Sequence, residues 1–256
     1  MNNPKIVMLA GRGDSTNILF HALKNEFPVN SIILEEPVSK KEFLKKRVKK
    51  LGFWKVSGQV VFQLIIVPLL NLLSVQRKKE IIKHYKLDKA PLPSNLIITV
   101  RSVNEETCIR ALQSINPDLV LVNGTRIISK QVLDSVPATF INIHAGITPM
   151  YRGVHGAYWA LLHNDAAHCG VTIHFVDAGI DTGTVIAQQV IPFGPADNFV
   201  TYPLLQLAAG IPLMKKAITD ILQNDLSPAG AKGESRLWHH PGFFQYLYYR
   251  LFKGKK

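Results

Sequence analysis

Three polar side chains in the middle of the chain are of the kinds that carry acyl chemistry: Asn142, His144 and Asp181. Asn142 and His144 stand two apart in the segment TFINIHAG, and residues two apart on a strand share a face. An amide N–H beside an imidazole N–H is a donor pair suited to the oxyanion formed when an amine attacks a carbonyl carbon. Asp181 follows in a segment expected to be a loop between two strands. A carboxylate there can hold the imidazole protonated or relay the proton that the amine loses. By spacing alone a histidine at a strand end is more often a hydrogen-bonded structural residue than a catalyst, so its surroundings must decide.

The elements around these residues alternate. KIVML, from Lys5, reads as a strand, AGRGDSTN as a loop, ILFHALKNEF as a helix and VNSIILEE as a second strand, which makes a βαβ unit with a right-handed crossover and a parallel sheet. The same grammar resumes with NLIITV as a strand, NEETCIRALQSI as a helix capped by Asn104, and DLVLVNG as a strand. TFINIHAG, GVTIHFVD and TVIAQQVIPF are further strands, the last two at hairpin-like distance, so the sheet is expected to end mixed. GAYWALLHND reads as a helix, and TYPLLQLAAGIPLMKKAITDILQN as a long helix interrupted near Gly210 and Pro212. Beyond Leu226 only an irregular tail with a short aromatic helix is expected.

The segment from Phe140 to Gly183 is the most specific. Its NIH, the turn with Pro149, Arg152 and Gly153, and the run GVTIHFVDAGIDTG resemble the signature of the folate-dependent formyltransferases, a family that includes the glycinamide ribonucleotide enzyme, the catalytic domain of methionyl-tRNA formyltransferase and amino-sugar N-formyltransferases. The resemblance is close over roughly 95–195 and loose over the first βαβ unit. It implies an α/β, Rossmann-like fold: a mostly parallel twisted sheet flanked by helices, a catalytic domain over 1–226 with a helical basic and apolar insertion at about 38–92, and an aromatic and basic tail over 227–256. It also implies an N10-formyltetrahydrofolate-dependent enzyme. Asn142 and His144 would polarise the formyl oxygen, and Asp181 would orient His144 and assist proton transfer. The pterin would lie against Arg126, Ile127 and Ile128 and against the backbone of Val176, Asp177 and Ala178, although Ile127 and Ile128 read equally well as ordinary core.

For the acceptor, the loop holding Gly11, Gly13, Ser15 and Asn17 is a candidate anion site, since glycines admit a ligand to the backbone and a helix N-terminus offers free N–H groups. It resembles the phosphate loop of the glycinamide ribonucleotide enzyme, with Asp14 and Thr16 interposed, and Asp14 is unwelcome beside a phosphate. Tyr151, Arg152, Gly153 and His155 are the other acceptor-side candidates. His163, His168 and His174 are assigned to helix surface or core, and no metal is expected because the histidines lack ligand spacing.

Composition bounds the partners. Hydrophobic residues at 47% with 19% charged describe a chain that buries a core, and Cys108 and Cys169 read as buried, unpaired thiols. The N-terminus lacks the order of charge and apolar run of a signal peptide, which points to the cytoplasm. The formal net charge of +12 calls for an anionic partner. Lysines crowd Lys40–Lys55 and Arg77–Lys89 on either side of VVFQLIIVPLLNLLSV, an apolar run shorter than the ~20 residues of a membrane span. Two readings of this insertion stay open: a buried or homodimer-forming hairpin, and an interfacial element resting on anionic headgroups at the inner face of the membrane, toward which the aromatic and basic tail leans.

After Phe193 only helix and tail are expected, whereas the resemblance implies a second, β-barrel domain for gripping tRNA; this favours a phosphorylated or nucleotide-linked small amine, above all an amino sugar. Glycinamide ribonucleotide is the alternative within the family. A non-catalytic folate- or nucleotide-binding protein or an RNA-binding module is the alternative outside it, and specific nucleic-acid binding is not expected because basic residues and exposed aromatics do not interleave along a recognisable module.

Overall fold

The computed structural model describes residues 3–230 and 233–254. In chain order the elements are β1 (Ile6–Gly11), α1 (Asp14–Leu23), β2 (Val29–Glu35), α2 (Lys40–Leu51), α3 (Phe53–Val61), a π-helical turn (Phe62–Ile66), α4 (Val67–Leu73), α5 (Val75–His84), β3 (Ile97–Val100), α6 (Glu106–Ile115), β4 (Leu119–Asn123), α7 (Lys130–Leu133), β5 (Thr139–His144), β6 (Arg152–Gly153), α8 (Gly156–Leu162), β7 (Gly170–Phe175), β8 (Val185–Val190), α9 (Tyr202–Leu222), β9 (Leu237–Trp238) and α10 (Phe243–Phe252).

Seven strands form one sheet in the order β3-β2-β1-β4-β5-β7-β8. The first five run parallel, while β7 and β8 are antiparallel, so the expected α/β sheet with a mixed end is what the chain builds. Successive residues of β1 serve opposite faces. Ile6, Met8 and Ala10 join Leu19, Leu23, Met214 and Ile218 under α1 and α9, whereas Val7 and Leu9 join Cys108, Ile109 and Leu112 under α6. Both cysteines are buried and free.

The helix α9 is continuous, contrary to the break expected near Gly210 and Pro212. Gly210 serves close approach: a Cβ there would lie 2.5 Å from Cδ1 of Ile143, so the glycine lets α9 settle onto β5 and β7. Asn104 also departs from its expected place, since the cap position of α6 falls on Glu105.

The insertion has its own core. Phe62 and Ile66 pack with Ile81, Leu87, Tyr158, Trp159, Phe199 and Tyr246. Phe62 is fully buried, edge-on to Phe199, a burial worth about 2 kcal/mol. The helical path from Phe53 to Leu73 is 21 residues, longer than the apolar run legible in the sequence and sufficient in length and composition to cross a bilayer. It nevertheless lies against the domain, with Val56, Gln59, Phe62 and Ile66 turned inward. The wide turn just before Pro68 is where a helix can absorb a residue that lacks an N–H.

Candidate active site

β5 ends between β4 and β7, and its register places Asn142 directly opposite His174. The Asn142 amide (Nδ2) lies 3.1 Å from His174 Nε2, and His174 Nδ1 lies 2.7 Å from the Phe175 carbonyl oxygen. A carbonyl can only accept, so Nδ1 carries hydrogen and Nε2 accepts from Asn142. One amide hydrogen of Asn142 is thereby used, and its second has no partner among the described residues.

His144 is buried, with Nε2 donating to the Tyr151 carbonyl at 2.8 Å and Nδ1 facing Asp181 Oδ2 at 3.3 Å. Burial lowers its pKa below the ordinary histidine value, against the opposing pull of Asp181 and the Tyr151 carbonyl, so the neutral ring is favoured. Burial alone would raise the pKa of Asp181. The nearby His174 and His144 rings and the Gly153 N–H outweigh it and keep the carboxyl below its usual range, as an anion. Gly153 N donates to Asp181 Oδ2 at 2.9 Å, and Asp181 itself sits in the left-handed region at φ 51°, a strained backbone of the kind that clusters at working sites. Asp177 braces the loop before it, accepting from Thr182 Oγ1 at 2.7 Å and Gly179 N at 3.0 Å.

These groups open into a cleft of about 670 Å³. One wall is apolar, formed by Val122, Ile127, Ile128 and Val176; the other carries Arg47, Trp238, His239 and His240. The apolar wall is pinned from behind. Glu35, buried at the end of β2, accepts from the backbone N–H groups of Val103 at 2.9 Å and Arg126 at 3.0 Å and pairs with the Arg126 guanidinium. Asn104, read from the sequence as a helix cap, instead donates to the Ile127 carbonyl at 2.9 Å and accepts from Ser129 N at 2.8 Å. Ile128 is core at 2% exposure, while Ile127 is 52% exposed beside the cleft.

Of the residues singled out in the sequence, Asn142, His144, Gly153, Asp181, Arg126, Ile127, Ile128, Val176 and Asp177 line this cleft. The lining does not include Ala178, Gly11, Gly13, Ser15, Asn17, Tyr151, Arg152 or His155. The glycine loop is engaged elsewhere: Asn17 donates to the Lys89 carbonyl, Asp14 pairs with the Lys89 ammonium at 2.7 Å, and Ser15 meets Asn123. Tyr151 is buried, donating its hydroxyl to Asp165, accepting from His144 Nε2 at its carbonyl, and stacked on Trp238. Arg152 donates to the Ile180 carbonyl and so steadies the loop carrying Asp181. His155 turns away to His240, 3.0 Å between Nε2 and Nδ1.

Sequence reasoning missed four participants. His174 was assigned to the core, although its place opposite Asn142 follows once TFINIHAG and GVTIHFVD are paired antiparallel. Arg47, His239 and His240 gave no signal, because they reach the cleft through the insertion and through the two-residue pairing of β6 with β9. In that pairing Gly153 is at φ 92°, and a Cβ would lie 2.3 Å from the Trp238 carbonyl oxygen.

The sheet-end cleft holds an amide, two imidazoles and a carboxylate. The formyl transferase family model matches residues 69–203, and the chain belongs to that family of formyl-transferring enzymes. It is 37% identical over 98 residues to methionyl-tRNA formyltransferase of Syntrophus aciditrophicus, a match that covers 38% of this chain but 31% of the relative, so the chain spans about a third of that protein's length. Its fold is similar to phosphoribosylglycinamide formyltransferase from Streptococcus pneumoniae TIGR4, with a TM-score of 0.54 and 22% identity over 86% of this chain and 99% of the other. A sugar N-formyltransferase from Shewanella sp FDAARGOS_354 gives a TM-score of 0.59 at 13% identity, over 91% and 76% of the two chains.

Proposed function

We propose that the protein transfers the formyl group of N10-formyltetrahydrofolate to a primary amine on a small, anionic acceptor. The observation that carries this reading is the convergence of Asn142, His144, His174 and Asp181 between an apolar wall and a basic one. The flat pterin suits Ile127, Ile128 and Val176 with the pinned backbone from Arg126 to Ile128 and of Asp177 reading its edge, and the acceptor suits the side of Arg47, His239 and His240. Residues 1–226 act as the catalytic domain in this reading, and the insertion at about 38–92 with residues 227–256 supplies the acceptor wall.

In the reaction the amine attacks the formyl carbon, and the carbonyl oxygen gains charge. The second amide hydrogen of Asn142, aimed by His174, meets that charge. The His144 hydrogen is committed to the Tyr151 carbonyl, so His144 acts on the same charge through its ring dipole. Asp181, an anion, draws off the proton that the amine loses, directly or through one water. Collapse of the intermediate breaks the C–N10 bond as N10 takes up that proton from Asp181, and tetrahydrofolate is released.

An amino sugar carrying phosphate is the favoured acceptor, since Arg47 supplies a permanent cation on the acceptor side while the glycine loop around Gly13 is tied up by Asn123 and Lys89. Methionyl-tRNA is the second reading, favoured by the sequence relatives. The test is tetrahydrofolate release from N10-formyltetrahydrofolate with a panel of amines containing 4-amino-sugar nucleotides, glycinamide ribonucleotide and charged initiator tRNA. Turnover that depends on an amino sugar supports the reading. Turnover on tRNA or glycinamide ribonucleotide alone replaces the acceptor, and folate binding without turnover on any amine removes the catalytic reading.

A further inference from the structure

The helical path from Phe53 to Leu73 has two apolar faces, and only one of them is used by the fold. Val56, Gln59, Phe62 and Ile66 recur at helical spacing and are buried. On the other side Trp54, Val61, Leu64, Ile65, Leu69 and Leu72 recur at the same spacing and face out, with Trp54 86% and Leu72 73% exposed. A solvent-facing helix side in a water-soluble domain is normally polar, and a run of this length without one charged residue after Lys55 marks a contact surface.

The tail extends it. α10 lies across α3 and the π turn, held by Tyr246 against Phe62 and Tyr158, and it turns Phe244, Tyr248, Leu251 and Phe252 outward at spacings of three and four. Two neighbouring helices therefore present aliphatic and aromatic side chains, with a tryptophan and a tyrosine among them, the residue types that settle at a bilayer interface.

Charge selects the occupant. α2, which packs on α3, exposes Lys41, Lys45, Lys46, Lys49 and Lys50 against a single acid, Glu42, and Lys55 opens α3 itself. None of these six lysines has an acidic partner among the described residues. A second copy of the chain meeting this surface about a two-fold axis would bring one lysine-rich helix toward another, in a protein already at +12, whereas anionic lipid headgroups meet the lysines while the acyl region takes the leucines.

We infer that the outer faces of Phe53–Leu73 and α10, bordered by the lysines of α2, seat the protein on an anionic phospholipid bilayer without crossing it. The inference is independent of the formyl-transfer reading. It links to the cleft through the same helix: Gln59 donates to the His240 carbonyl at 2.7 Å and accepts from Arg47 at 2.6 Å, and Gln63 reaches His240 Nδ1, so the helix that meets lipid outside holds the acceptor wall inside.

Flotation of the full chain with vesicles of phosphatidylcholine containing about 30% phosphatidylglycerol tests it. The wild type is expected to float with these vesicles and to bind roughly tenfold less to phosphatidylcholine alone, as several lysines at a charged surface imply. L64E/L72E abolishes flotation with an unchanged thermal midpoint, because both side chains are exposed. K45E/K49E loses the preference for anionic vesicles. A separate readout needs no folding control: Trp159 is buried and Trp238 half-buried, so a blue shift of tryptophan fluorescence on adding vesicles that W54F removes places Trp54 in the interface. The inference is overturned if the wild type stays unbound, if L64E/L72E floats as well as the wild type, or if light scattering shows a dimer that L64E/L72E dissociates while vesicles leave Trp54 unchanged.

Discussion

The end of the sheet and the helical insertion solve opposite problems with the same kinds of residue. At the sheet end the polar groups are held from within the chain: His174 holds Asn142, Tyr151 holds His144, and Gly153 holds Asp181. In the insertion apolar groups are exposed and unmatched, with Leu64, Leu72 and Leu73 each more than two-thirds open. Unpaired buried polar groups are costly and are removed by pairing within the chain, while exposed apolar surface is removed by pairing outside it. The first region is thus closed largely by its own pairings, while the second leaves apolar surface open.

The sharpest way to break the claim that the sheet end is closed by its own pairings is to remove one paired group. Asn142→Ala or Asp181→Asn is expected to lower kcat about a thousandfold, as loss of an oxyanion donor or its partner does elsewhere. Stopped-flow or steady-state tetrahydrofolate release reads this, and turnover within a few-fold of wild type in either variant ends the mechanism.

His174→Phe tests positioning instead of contact. With Asn142 free to rotate, kcat is expected to fall roughly tenfold to a hundredfold while the KM for folate holds, and His174→Gln, which can still accept a hydrogen bond, recovers part of the loss. Equal damage in both variants would reduce His174 to packing.

The junction between the two regions is sensitive to pH. Burial pushes His155 down to about 3, helped by the His240 ring, and His240 down to about 4, helped by Arg47 and His239. Below about pH 6.5 the unfolded chain takes up protons that the folded rings refuse, so this part of the stability is full above that pH and is lost as pH falls toward 4. The expected loss between pH 6.5 and 5 is about 2 kcal/mol per ring at most, read from urea midpoints, and His240→Asn removes roughly half of it. A flat pH dependence would mean that the rings are hydrated or already charged. The smallest expected effect is Ile127→Ala, a few-fold rise in the KM for folate with kcat unchanged, since the side chain is half open and contributes binding alone.

What the sequence made legible follows from range. Asn142 and His144 share a strand and announce themselves by spacing, and the parallel sheet shows in alternating apolar runs because both of its faces are covered. His174 needed one further step, the pairing of two strands. Asn104 looked like a cap because caps are local, yet its partners Ile127 and Ser129 lie across a loop. Arg47 and His240 were out of reach altogether, for nothing near them in the chain encodes the two-residue ladder between Arg152–Gly153 and Leu237–Trp238. The glycine loop misled for the opposite reason: its local signal was genuine, but Lys89, at the exit of the insertion, occupies it.

That short ladder has a consequence for the order in which the protein comes together. β5, β7 and the Asp181 loop can assemble from contiguous chain, so the reacting groups are in place as soon as the sheet closes. The side of the cleft carrying Trp238, His239 and His240 instead requires Leu237–His240 to return across the molecule to β6 and to be gripped by Gln59 and Gln63. In the proposed reading a chain cut after Leu226 would keep the apolar side of the cleft and lose the side carrying Trp238, His239 and His240, which would make the last stretch of the polypeptide the latch on the chemistry of the first.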